Sequence, residues 1–192
     1  MPALNPPSIA NGLAAALLFA RGRAIGLTLL PASLETARHS FVAALICLPV
    51  FLGLRLLSWA VQGEPPNGVA IGLAAEFVGY VLGWVAFALV SKAMADQAQR
   101  SANWPQFIAA WNWSNVVQYA LLLVLMVPTV LGLPSWVANV LGLVAVGYAM
   151  WLEWFVTRVA LGVAGSTAVM FVLLDLALGL FIGGIAAHIA GN

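Results

Sequence analysis

Six side chains sit where an apolar stretch of sequence should not carry them: Arg55, Glu76, Asn112, Asn115, Glu153 and Asp175. Each lies well inside a long hydrophobic segment, and an ionisable or strongly polar group in hydrocarbon is costly and commonly functional. Arg55 and Glu76 can form an ion pair, which lowers the penalty either charge would suffer alone. Asn112 and Asn115 carry amide donors for the carboxyls of Glu153 and Asp175, and tryptophan supplies one further N–H donor. The chemistry open to such a set is charge pairing, hydrogen bonding, and handling of a proton or cation.

Two constellations follow. Arg55 is about six residues from the far end of the first span, and Glu76 about eight from the start of the second. A short loop between antiparallel helices would bring them to similar depth at about 1.5 Å rise per residue. The pair reads either as a staple fixing a helix hairpin or as part of an outward-facing ligand site. Alternatively, Arg55 snorkels to the interface and Glu76 needs another donor. The second constellation lies nearer the opposite face. Asn112, Asn115 and Tyr119 share one helical stripe of span three, while Trp111, Ser114 and Gln118 share the next. Glu153 and Asp175 fall at matching depth with no evident intramembrane cation. They are expected as neutral carboxyls satisfied by amide and indole groups, as a proton- or cation-handling site, or as contacts for another subunit's basic residue. Arg158, five residues past Glu153, turns to nearly the opposite helix face.

The elements that must position these groups are five apolar segments at about Phe41–Val61, Val69–Ser91, Phe107–Leu131, Trp136–Thr157 and Thr167–Ile189. Each is near the about 20 residues needed to span hydrocarbon. Hydrophobic residues make up 64% of the 192-residue chain and charged residues 7%, with mean hydropathy +1.04. A soluble domain carries about a quarter charged residues. The fold class is therefore an all-α, polytopic membrane bundle of five transmembrane helices (33–192), preceded by an N-terminal segment (1–32). Within that segment Ile9–Ala20 is too short to span, and Arg21 and Arg23 follow rather than precede it, so an interfacial or re-entrant helix is expected instead of a signal peptide. Docking against the bundle competes with lying on lipid. Pro31 and Ser33 mark an early start of the first span, with Glu35 in its first turn.

Arg21, Arg23, Arg38, Lys92, Arg100 and Arg158 all fall on one side of a five-span map, and the opposite side holds none. The positive-inside rule then places the N-terminus in the cytoplasm and the C-terminus outside, in a bacterial inner membrane. Small residues recur on single faces, at Gly68, Gly72, Ala75, Gly79 and Gly83 of span two. The same pattern holds for Ala138, Gly142, Ala145 and Ala149 of span four, and for Gly179 and Gly183 of span five. Glu76, Glu153 and Asp175 continue these faces, so the acids are expected where helices meet. Pro49 and Pro128 are expected to bend spans one and three.

Several functions are disfavoured. Cys47 alone allows no intrachain disulfide or cysteine metal site, and His39 and His188 are separated by the bilayer. No Gly-x-Ser-x-Gly, His-Glu-x-x-His or phosphate-binding loop occurs, so neither catalysis nor a cofactor or metal is expected. The basic residues form no nucleic-acid stripe. The leader Ala20-Arg21-Gly22-Arg23 to Pro31, the small-residue helices, and Gly79-Tyr80 and Gly147-Tyr148 resemble the bacterial branch of the Yip1-like five-span membrane proteins. The Asp-Leu-Tyr-Gly-Pro motif of the eukaryotic members is absent. The resemblance implies an α-helical, non-enzymatic membrane protein. The function expected is an inner-membrane accessory or scaffold protein that contacts lipid, itself or other membrane subunits. The alternative is a proton- or cation-coupled permease with a polar site in the inner half.

Overall fold

A computed structural model of the chain describes residues 8–130 and 134–191. Seven α-helices and one 3-10 turn account for the architecture, with no strand among the described residues. The helices are α1 (Ile9–Phe19), α2 (Leu34–Ser40), α3 (Val42–Gln62), α4 (Val69–Gln97), α5 (Trp104–Val130), α6 (Ser135–Leu161) and α7 (Gly165–Ala190). Five stretches are long and apolar enough to cross a membrane, α2 and α3 together forming the first. The helices outrun the apolar segments mainly at the end bearing the basic side chains. There the chain no longer needs to be apolar, and helical hydrogen bonding continues.

The N-terminal helix is docked as well as apolar. Ser8 caps α1 by accepting from the Asn11 amide at 3.1 Å. Ala15, Ala16 and Phe19 are buried, while Ile9, Leu13 and Leu17 form an exposed apolar stripe on the other face. Gly12 permits this close approach: a Cβ there would fall 2.0 Å from the ring of buried Trp113. The Tyr148 hydroxyl donates to the Ala20 carbonyl at 2.7 Å, holding the end of α1 to α6. Gln106 donates to the Leu27 and Leu30 carbonyls at 3.0 and 2.7 Å, and so satisfies the loop that follows. Ser33 caps α2 through the Thr36 amide at 3.1 Å, with Glu35 in the first turn. The first span therefore starts early, with a break at Phe41.

α5 is the central helix, and its first half, Phe107 to Ser114, is buried throughout. It packs along α6, α3, α2 and α1, whereas α4 runs mainly along α7 and only sparsely against α3 and α5. This leaves a ring of α3, α5, α7 and α4 that its own side chains do not fill. At the basic end, Asn103 donates to the Leu161 carbonyl at 3.1 Å and Trp104 to Ser91 at 3.1 Å, joining three spans. At the other end, Asn67 sits between Gly63 and Gly68, whose φ values of +105° and +88° let the α3–α4 connection turn. Its backbone N–H donates to Ala190 at 3.1 Å and its side-chain amide to Ile189 at 2.9 Å, closing the last turn of α7. Pro49 lies inside α3. The side chain of Pro128 lies outside the described residues.

Candidate functional site

The incomplete ring borders a partly open cavity of ≈ 220 Å³ lined by α3, α4, α5 and α7. A buried water needs only about 10–15 Å³ of such space, so the cavity is large enough for a solute. It holds Arg55, Glu76, Asn115 and Asp175, and therefore brings members of both polar constellations into one space. Arg55 Nε lies 3.1 Å from Glu76 Oε2, with the arginine side chain 43% exposed and the glutamate 10%. The guanidinium also stands over Phe51, 5.6 Å from the ring centroid. Phe51 precedes Arg55 by one helical turn, so the same face of α3 supplies both groups.

Beyond the ion pair is a wider vestibule of ≈ 690 Å³, reaching Gln62, Gly63, Glu64 and Pro66 at the α3–α4 turn. Arg55, Glu76, Gly179 and Gly183 border both spaces, so the ion pair stands at their junction. The two spaces therefore adjoin at the ion pair.

One wall of the inner cavity is aromatic. Tyr80 and Trp84 follow Glu76 at i+4 and i+8, and their ring centroids lie 5.9 Å apart. Trp84 meets Trp111 edge-on at 5.3 Å, and Trp111 stacks on Phe87 at 4.1 Å. Tyr119 approaches Tyr80 at 6.4 Å. The Tyr80 hydroxyl is fixed by donating to the Ala44 carbonyl at 2.7 Å, which ties α4 to α3 where few other contacts do. Glycines of α4 and α7 line the cavity as well. A Cβ at Gly83, Gly179 or Gly183 would meet nothing within 4 Å. In contrast, Gly72 abuts Pro65 and Trp59, and Gly79 approaches Ile182 and Ala186. The small-residue faces of α4 and α7 thus allow close approach in part of their length and leave open space in the rest.

Asp175 lines the cavity, and Glu153 of α6 stands behind it. The two acids are near neighbours across α6 and α7, with Trp111 close to Glu153. Glu153 is 6% exposed, and its Oε1 has no hydrogen-bond partner among the described residues.

Asn112 is placed elsewhere. It faces α2, donating to Ser40 at 2.7 Å, and Ser40 in turn donates to the Ala37 carbonyl at 2.6 Å. Asn115 donates to the Trp111 carbonyl of its own helix at 3.0 Å and borders the cavity. The stripe drawn through Asn112, Asn115 and Tyr119 is therefore divided, because α2 covers the Asn112 side of α5. Arg158 stacks over Trp154 at 5.4 Å rather than meeting Glu153. Among the described residues no group of three or more His, Cys, Asp or Glu is arranged to hold a metal.

The site residues that the sequence reading did not single out are Phe51, Tyr80 and Trp84, whereas Gly83, Gly179 and Gly183 were expected on packing faces and border the cavity instead. The signal was present. Extending the helical stripes of Arg55 and Glu76 by one or two turns reaches the three aromatics. No protein-family model, curated protein or solved structure matches this chain.

Proposed function

We propose that this protein is a small multi-pass membrane permease or solute-binding transport component, lying in a bacterial inner membrane with its basic end cytoplasmic. The observation that carries the reading is the convergence of charged and polar side chains from α3, α4, α5 and α7 on one cavity with a vestibule at the α3–α4 end. Pockets with a few convergent polar groups between helices are where bundles place ligands. The six basic residues at the opposite end support an outward-facing vestibule. In this reading Arg55 and Glu76 form a charged gate, and Asp175 with Glu153 forms the inner end of the route.

An accessory subunit that associates with itself or a larger complex is the second reading. It is favoured by Gly142 on the small-residue face of α6, where an added Cβ would meet nothing within 4 Å. Proteoliposomes containing a pH-sensitive dye and an imposed cation gradient separate the two. Transport predicts flux that falls to the level of empty vesicles in Asp175→Asn. No flux from well-folded protein under either polarity would favour the accessory role.

A further inference from the structure

Resting on the cavity reading above, we infer that the inner cavity binds a small organic cation, of the ammonium or quaternary ammonium class, between Asp175 and the rings of Tyr80, Trp84, Trp111 and Tyr119. Charge accounting gives the sign of the ligand. The cavity contains one cation, Arg55, which is already paired with Glu76. Among the described residues the only other ion pair is Lys92–Asp96, far along α4. Asp175 adds a further carboxyl to the same space, and no second cation lines it. A ligand of opposite sign meets that need, whereas an anion would face Asp175 and Glu76 together.

The walls give the chemical class. Five aromatic rings, Phe51 and the four named above, line the same space as the acid, and aromatic rings attract cations. A metal ion is a poor match, because rings and glycines offer it few oxygen ligands. An alkylammonium ion has both the charge for Asp175 and the apolar surface for the rings. The glycines at positions 83, 179 and 183 provide the room.

The test uses tetramethylammonium with the full chain in nanodiscs, followed by tryptophan fluorescence and calorimetry. Saturable binding is expected, with at least about tenfold weaker affinity in Asp175→Asn. Asp175→Glu should restore part of the loss, and Trp84→Leu should weaken binding. Sodium and a sulfonate of similar size serve as competitors and should not displace the probe. Gly183→Val, which enters open space, should remove binding without unfolding the protein. Separately, in a Cys47→Ser background, Gly183→Cys should react with a membrane-impermeant thiol reagent from the vestibule side. Reaction there with no tetramethylammonium binding would overturn the organic-cation inference alone. Failure of Gly183→Cys to react from either side would overturn the cavity reading beneath it. Equal affinity in Asp175→Asn, or preference for the sulfonate, would also contradict the inference.

Discussion

Breaking the Arg55–Glu76 pair should have unequal effects from its two sides. The contact is a single Nε–Oε2 approach of 3.1 Å rather than a two-pronged one, and the partners differ in exposure, 43% against 10%. Removing the partner of a fully buried ion costs about 3–5 kcal/mol, and breaking an exposed pair about 0.2–1 kcal/mol. Arg55→Gln strands the more buried carboxylate of Glu76, so its cost should lie toward the upper range, at about 2–3 kcal/mol after discounting for the vestibule's water. Glu76→Gln strands Arg55, which retains solvent and the Phe51 ring, and should cost about 1 kcal/mol. The double variant should cost less than the sum by about 1–2 kcal/mol, the sign of direct coupling. Thermal unfolding in mild detergent, read by tryptophan fluorescence, measures all four corners of the cycle. On the scale of soluble chains of this size, each kcal/mol corresponds to about 2–4 °C. Strict additivity, or a larger loss from Glu76→Gln than from Arg55→Gln, would refute the assignment of the pair as coupled and unequally buried.

Other perturbations probe other joints. Gly12→Leu should drive a side chain into Trp113 and lower the unfolding temperature, at about 1–3 kcal/mol for overpacking; no change would mean that α1 does not dock on α5. Ser40→Ala should strand the buried Asn112 amide at about 1–3 kcal/mol. Asn112→Leu with Ser40→Ala should recover part of that loss in the same unfolding assay. A C-terminal alkaline phosphatase fusion should be active in cells and a fusion after Arg100 inactive; the reverse would invert the proposed orientation.

Most of the architecture follows from local rules. Apolar length marks the five spans, and Ser33 with Glu35 signals the early start of the first. The proximity of Arg55 and Glu76 also follows, because a short turn fixes the relative depth of adjacent helices. What the sequence left open depends on which faces meet. Asn112 and Asn115 are three residues apart and belong to one stripe, yet α2 takes the first and the cavity the second. Gly79 and Gly83 likewise share a face, but only Gly79 has α7 side chains against it. Helical periodicity gives a residue's direction on its own helix; it does not say whether a neighbour stands there or a space.

The most direct test of an aqueous cavity is the reactivity of Gly83→Cys in a Cys47→Ser background, compared with Gly142→Cys. Gly83 lies about 21 Å along α4 from its start at Val69, and Gly142 about 10 Å along α6 from Ser135, at 1.5 Å per residue. Both have open space around a Cβ, but only Gly83 borders the polar cavity. A membrane-impermeant thiol reagent added on the side of the α3–α4 turn should label Gly83→Cys much faster than the shallower Gly142→Cys. Labelling ordered by depth instead, with Gly142→Cys faster and Gly83→Cys inert, would contradict a water-filled route into the bundle.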